Sequence, residues 1–273
     1  MKSNLINKIF KNLKTPHLIP GKILFKIKVF YNYLFYEISY DESNFYKQQK
    51  EIFNNYSLDY DEGLNIFKKL KNEYNFLEPD NELPYSEHST FFSSLSSKYK
   101  NDFKNILEIG TYNGKNAFVL SKLFPNSKIF TLDLPDNDQI FNTSYNRHTE
   151  DLANSFIERR NKILNKSNNI EMIKKNSVNL MNFDTKLDLI WVDGAHYSPI
   201  VCFDILNSLK LLNQDGFMLC DDVSLVNYNA TIDSLKVLEQ EKKIIFKLIF
   251  KNTDARKNAN PKKRSFIAVV KHA

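Results

Sequence analysis

One stretch, NILEIGTYNGKN at residues 105–116, limits the possible folds more than any other part of the chain. It begins with a short, mostly apolar run that is typical of a buried strand and contains one acidic residue, Glu108. A turn with two glycines, Gly110 and Gly114, follows this run and leads into a helix. Such a turn brings backbone N–H groups close to a ligand. The stretch therefore predicts a ligand site at the end of a strand.

From Ser86 onward, strand-like segments alternate with helix-like segments. This alternation predicts an α/β fold, in which a parallel sheet carries helices on both faces. The last two strand-like segments have no helix between them, so we expect an antiparallel pair at or near one edge. The predicted strands are 105–109, 128–132, 170–173, 187–192, 217–220, 244–250 and 266–270.

The first 84 residues have a different pattern and predict a separate unit. We expect residues 1–84 to form a helical N-terminal extension or lid, and residues 85–273 to form the main domain. Within the extension, residues 22–40 are rich in lysine and aromatic residues and predict a helix. Such a helix can lie on a membrane surface, on its own domain or on a second subunit. Peripheral contact with the inner membrane surface through residues 1–40 and a homo-oligomer are therefore both open alternatives.

The charge is unevenly distributed along the chain. The formal net charge is +6, yet residues 1–36 contain seven lysines and no acidic residue, and the stretch from residue 242 onward is also strongly basic. The middle of the chain is therefore acidic, which argues against a nucleic-acid-binding core. The two cysteines lie in apolar runs and predict buried thiols rather than a disulfide. With no signal-peptide pattern and no membrane-spanning run, we expect a cytoplasmic protein.

Acidic residues follow most of the predicted strands. Asp133 ends the second strand 23 residues after Gly110, a spacing that suits a carboxylate bound to ribose hydroxyls. Alternatively, it is a helix cap or a turn residue beside Pro135. The glycine turn lacks the third glycine of a dinucleotide-binding fingerprint and has Tyr112 in that place. A side chain there would crowd a pyrophosphate, so the turn favours a ligand without phosphate.

Three motifs together resemble those of class I S-adenosylmethionine-dependent methyltransferases. They are EIGTYNG at residues 108–114, VDGAHY at 192–197 and CDDV at 220–223. The set is most similar to the catechol O-methyltransferase-like branch, and within it to the bacterial group that methylates sugars and secondary metabolites. The resemblance extends from about Tyr85 to the C-terminus. It implies a Rossmann-like seven-stranded sheet, mostly parallel, whose last strand is antiparallel.

The resemblance also implies a binding site for S-adenosylmethionine. Asp133 would hold the ribose hydroxyls, Leu134 would lie against the adenine, and Ser177 would reach the adenine edge. Asp193 is also among the residues predicted to bind this cofactor. The methionine part of the cofactor would be bordered by Glu108, Gly110, Thr111 and Gly114.

The family pattern further implies a magnesium site and a base. Asp193, Asp221 and Asp222 match the positions that bind Mg²⁺ in related enzymes, and carboxylate oxygens are the ligands this ion prefers. Alternatively, Asp193 only orients the cofactor and the aspartate pair caps the next helix. His196 follows Asp193 by three residues, and a histidine there could accept the proton of a hydroxyl. A hydrogen-bonded residue at a helix start is an equal alternative for His196.

These observations predict an O-methyltransferase that transfers a methyl group to a hydroxyl of a small molecule or sugar, with assistance from Mg²⁺. Asp193 and His196 are its predicted catalytic residues. Two other functions stay open. A nucleotide-dependent oxidoreductase or epimerase would use a similar fold, but it would be expected to carry the third glycine and a Tyr-x-x-x-Lys pair. A non-catalytic adaptor would keep the fold and bind a membrane or partner through residues 1–40.

Overall fold

A single sheet of seven strands carries the described part of the molecule. The computed structural model describes residues 27, 30, 45–77, 82–145, 147–225, 229–251 and 265–273. The strands are β1 (Asn105–Ile109), β2 (Lys128–Asp133), β3 (Ile170–Lys174), β4 (Leu187–Val192), β5 (Leu212–Val223), β6 (Ile244–Phe250) and β7 (Phe266–His272). Their order across the sheet is β3-β2-β1-β4-β5-β7-β6, and β7 pairs antiparallel with both of its neighbours. All the other pairs are parallel. The predicted α/β fold with an antiparallel last strand is confirmed.

The register of the parallel strands aligns their carboxyl ends in one row. Ile109 of β1 is paired with Leu132 of β2 on one side and with Val192 of β4 on the other. Val192 is in turn paired with Cys220 of β5. The residues that follow this row therefore lie along one edge of the sheet, and they are Gly110, Asp133, Asp193 and Asp221.

The helices lie on both faces of the sheet. In chain order they are α1 (Phe45–Asn55), α2 (Tyr60–Leu77), α3 (Glu87–Tyr99), α4 (Lys115–Leu123), α5 (Gln139–Thr143), α6 (Glu150–Leu164), α7 (Ile200–Leu211) and α8 (Ala230–Gln240), with a 3-10 helix at Ser177–Asn182. Side chains of each strand alternate between two apolar clusters. Ile106 and Leu189 lie in the cluster that includes α1 to α4, whereas Leu107 and Ile190 lie in the cluster that includes α7 and α8. This alternation follows from the two-residue period of a strand.

Helices α1 and α2 pack into the same apolar cluster as the sheet. Phe53, Tyr60 and Phe67 are almost completely buried there. Gly63 lies where α2 crosses α3, since a Cβ atom at this position would be 2.0 Å from Ser94 Oγ. The domain boundary at residue 84 stays a prediction, but residues 45–77 contribute directly to the core beside the sheet.

Some element bounds differ from the sequence predictions. Strand β5 starts at Leu212 and not at the predicted Phe217, because Leu212 already pairs with Leu187 of β4. The register then shifts, and pairing continues from Leu189 with Phe217. Short helix α5 and the 3-10 helix were not predicted. Of the helix expected at 22–40, only residues 27 and 30 are among the described residues. The predicted membrane contact through residues 1–40 therefore also lies outside them, apart from these two positions. Among the described helices, none has the length and apolar character needed to cross a membrane.

Candidate active site

The glycine turn after β1 is shaped by its close approach to the end of β4. Gly110 adopts a φ of +100°, and a Cβ atom there would be 2.2 Å from the carbonyl oxygen of Asp193. The Asp193 N–H donates to the Ile109 carbonyl at 2.9 Å, which holds the two strand ends together. Gly110 is therefore required both for its backbone conformation and for the space next to Asp193.

Asp133 is fixed by backbone groups of the turn. Its Oδ2 accepts the Tyr112 N–H at 3.0 Å and its Oδ1 accepts the Leu134 N–H at 2.8 Å. Each carboxylate oxygen can accept a second hydrogen bond, so both oxygens keep the capacity to bind two hydroxyl groups. Burial raises the pKa of Asp133 above its usual range, although the two N–H groups oppose this effect.

A cleft of about 340 Å³ opens at the carboxyl edge of the sheet beside this turn. Six of the predicted site residues line it, namely Gly110, Asp133, Leu134, Ser177, Asp193 and His196. Another part of its wall comes from residues 140–145 and Arg147, in a stretch that carried no recognisable motif. There Tyr145 lies with its ring 5.0 Å from that of Tyr112, and the Arg147 guanidinium stacks on Phe141 at 3.8 Å. The sequence offered no periodic signal for this wall, because it is built from a loop and the short helix α5.

Three other predicted cofactor residues lie behind the cleft wall. Glu108 and Thr111 are almost completely buried, and Gly114 precedes α4 with a φ of +78°. Asn116 donates to Glu108 Oε1 at 2.8 Å, and Thr131 donates to its Oε2. Burial raises the pKa of Glu108 to about 7, in spite of these hydrogen bonds. The structure thus connects these residues to the turn but not to the surface of the cleft.

Beyond Asp193, three more charged side chains meet at the ends of β5 and β6. The Lys251 ammonium donates to Asp221 and, at 2.9 Å, to Asp222 Oδ1. Burial alone would lower the pKa of Lys251, but the charges of Asp221 and Asp222 outweigh it and the pKa lies above its ordinary value. No pattern in the sequence pointed to Lys251, which is 29 residues from Asp222 in the chain.

His196 lies between this cluster and the open cleft. Its Nε2 is 3.6 Å from Asp193 Oδ1 and 3.9 Å from Asp222 Oδ2. About a third of the His196 side chain is exposed, so it is accessible from the cleft. Burial and the neighbouring charge of Asp221 hold the pKa of Asp193 well above its usual range, while Lys251 acts in the opposite direction.

The three aspartates predicted to bind Mg²⁺ are not arranged as a metal site. Lys251 forms ion pairs with Asp221 and Asp222, so the ammonium already contacts one oxygen of each of these two expected ligands. Over the ranges that the structure describes, no group of three or more His, Cys, Asp or Glu side chains is placed to hold a metal ion. The residues present therefore do not fit the predicted magnesium ion.

The sequence matches one family model over the central part of the sheet. Residues 107–223 match the model described as a methyltransferase domain. This central part of the chain is therefore similar to a methyltransferase domain. The match extends from β1 through β5, so it includes every strand end that contributes to the cleft. No curated protein has a matching sequence.

Solved structures with a similar fold include several methyltransferases. One is the O-methyltransferase TomG from Streptomyces achromogenes, involved in tomaymycin synthesis and solved with S-adenosylmethionine, at 16% identity and a TM-score of 0.47 over 82% of this chain and 95% of that chain. Another is the methyltransferase PaMTH1 from Podospora anserina, solved with S-adenosylhomocysteine, at 16% identity and a TM-score of 0.47 over 86% and 97% of the two chains. A third is an O-methyltransferase structure from Klebsiella pneumoniae, at 15% identity and a TM-score of 0.45 over 67% and 78%.

Proposed function

We propose that this protein is a class I S-adenosylmethionine-dependent methyltransferase that transfers a methyl group to a hydroxyl group of a small molecule or sugar. The observation that carries the proposal is that one cleft is lined by both a backbone-anchored carboxylate, Asp133, and an accessible histidine, His196. The carboxylate would accept hydrogen bonds from a ribose, and the histidine would take the proton of an acceptor hydroxyl.

The donor half of the cleft fits S-adenosylmethionine. The Asp133 oxygens would accept hydrogen bonds from the two ribose hydroxyls, and Leu134 and Ser177 would contact the adenine. Gly110, which lines the cleft, would border the methionine part. We assign Glu108, Thr111 and Gly114 an indirect role, in which their buried contacts shape the turn from behind.

His196 would act as the base in the acceptor half. S-adenosylmethionine supplies a methyl group on a positively charged sulfur, so it needs no covalent enzyme intermediate. The Nε2 atom of His196 would take the proton of the acceptor hydroxyl, a role that commonly contributes about 10²–10⁴-fold to the rate. The carboxyl groups of Asp193 and Asp222 face the same Nε2 atom, at 3.6 Å and 3.9 Å, where they would stabilise the imidazolium that forms when Nε2 takes the proton. The proposal includes no magnesium step, because the Lys251 ammonium binds two of the three expected ligands.

A turnover assay tests this proposal. The full chain would be incubated with labelled S-adenosylmethionine and a panel of hydroxylated sugars and small molecules. We expect label on the oxygen of at least one acceptor, and no label with acceptors that lack a hydroxyl. Binding of S-adenosylmethionine without transfer to any panel member would favour the non-catalytic alternative.

The matched variants are His196→Ala and His148→Ala. His148 is exposed and lies outside the cleft wall. We expect His196→Ala to lower kcat by about 10²-fold or more while the Kd for S-adenosylmethionine stays unchanged. His148→Ala should behave like the wild type. Equal activity of the two variants would remove His196 from the proposed mechanism.

A further inference from the structure

Lys251 is held rigidly at the acidic end of the cleft. It directly follows β6, and its backbone N–H donates to the Ser265 carbonyl at 2.9 Å, which continues the pairing toward β7. Its side chain is only 11% exposed and reaches the end of β5, two places away across the sheet. A buried ammonium group is costly unless it is paired with charged acceptors, and here Asp221 and Asp222 supply them.

The Lys251 ammonium neutralises negative charge that the sheet brings together at one edge. Parallel strands bring Asp193, Asp221 and Asp222 to one edge, and neighbouring carboxylates repel each other unless a cation lies among them. In a metal-dependent site that cation is a divalent ion with oxygen ligands. Here two of the carboxylates already accept hydrogen bonds from one covalently attached cation. A metal ion that bound Asp221 Oδ2 or Asp222 Oδ1 would have to displace Lys251.

The same contact fixes the aspartate that faces His196. Asp222 has a φ of +50°, a conformation that is uncommon for residues other than glycine. Its carbonyl accepts a hydrogen bond from Asn229 at 2.8 Å, and its Oδ1 accepts one from Lys251. The other oxygen, Oδ2, lies 3.9 Å from His196 Nε2.

We propose that Lys251 is the built-in cation of the acceptor site, and that methyl transfer by this chain needs no divalent metal. Lys251 is a positioning residue: it neutralises the Asp221-Asp222 pair and orients Asp222 next to His196. The inference rests on the proposed function for its consequence in turnover, but the site itself can be tested without any methyl acceptor.

Direct binding of Mn²⁺ to the full chain tests the site. The probe is the electron paramagnetic resonance signal of free Mn²⁺, measured for the wild type, Lys251→Met, Lys251→Arg and Lys247→Met. Lys247 is an exposed lysine on β6, the strand that Lys251 follows, and is the matched control. We expect Lys251→Met to bind Mn²⁺ at least about tenfold more tightly than the wild type, because three carboxylates then lack their cation. Lys251→Arg keeps the charge, so this variant and Lys247→Met should bind no more Mn²⁺ than the wild type.

Stoichiometric binding of Mn²⁺ to the wild type at micromolar concentration would overturn the proposal. So would equal Mn²⁺ affinity of Lys251→Met and Lys247→Met. If Lys251→Met does not fold, the wild type and Lys251→Arg decide the matter: tight Mn²⁺ binding by either contradicts the proposal, and weak binding by both supports it.

A second arm uses turnover of the wild type. We expect the rate to be the same, within about twofold, in excess EDTA and in added Mg²⁺. Loss of turnover in EDTA that Mg²⁺ restores would contradict the proposal. Absence of turnover under both conditions would count against the proposed function, whereas the Mn²⁺ measurement would still decide the role of Lys251.

Discussion

Asp133 illustrates how a single residue is fixed in the wall of the cleft. A lone carboxylate at a strand end can serve as a cap, as a turn residue or as a ligand-binding group. Here the N–H groups of Tyr112 and Leu134 hold both oxygens in place, so the carboxylate is oriented before any ligand arrives. Such pre-orientation lowers the cost of binding, because less freedom is lost when the ligand binds.

Replacement of Asp133 by Asn should weaken cofactor binding. The amide keeps the size of the side chain but loses one acceptor oxygen and the negative charge. A hydrogen bond to a charged group contributes about 1.5–3 kcal/mol, which corresponds to a loss of about 10–100-fold in affinity for S-adenosylmethionine. Isothermal titration calorimetry measures this change, with Asp151→Asn on the exposed side of α6 as the control. A Kd within about twofold of the wild type would exclude the ribose role.

At the scale of elements, helix α1 shows how residues ahead of the sheet stabilise it. Phe53 has no exposed surface and contacts Tyr60 and Phe91 edge-on, with ring centres 5.1 Å and 5.0 Å away. The Gln49 amide forms two hydrogen bonds with the backbone of Phe250, which ties α1 to the outer strand β6. Helix α1 is thus bound to α2, to α3 and to the sheet.

Phe53→Ala should destabilise the sheet as well as the helix. Truncation of a buried phenylalanine costs about 3–5 kcal/mol. Trp191, the only tryptophan, is buried in β4 and reports on the sheet by fluorescence. We expect the urea midpoints from Trp191 fluorescence and from circular dichroism to fall together. Phe76→Ala is the control, since Phe76 on α2 is 86% exposed. A fluorescence midpoint unchanged by Phe53→Ala would mean that residues 45–77 unfold separately from the sheet.

At the scale of the whole molecule, three buried titratable groups make stability depend on pH. Burial raises the pKa of Glu87 and of Glu108 to about 7 and lowers the pKa of His88 to about 4. Each glutamate keeps its proton in the folded state up to about pH 7, whereas the unfolded chain releases it near pH 4.5. The free energy of unfolding therefore falls as pH rises through this window. His88 has the opposite effect, since the unfolded chain binds its proton below about pH 6.5.

Glu87→Gln should remove part of this dependence. Glu87 is completely buried and accepts a hydrogen bond from the Tyr85 hydroxyl at 2.7 Å. Between pH 5 and pH 8 the wild type should lose about 2–3 kcal/mol of unfolding free energy that Glu87→Gln does not lose. Urea denaturation at both pH values measures the difference, with the exposed Glu73→Gln as the control. Parallel pH profiles of the wild type and Glu87→Gln would show that Glu87 does not titrate in this range.

The sequence by itself determined the strands, most of the helices and the glycine turn, because these depend on local periodicity and on the conformational freedom of glycine. It also identified Asp133, Asp193 and His196, which the structure brings to one cleft. Only the tertiary structure decided that Glu108 and Thr111 are buried behind that cleft, and that Lys251 lies among the acidic residues. Periodicity shows which face of a strand is apolar, but not which strands become neighbours. The sheet order places the end of β6 near the end of β5, so that Lys251 forms ion pairs with two of the expected magnesium ligands, Asp221 and Asp222.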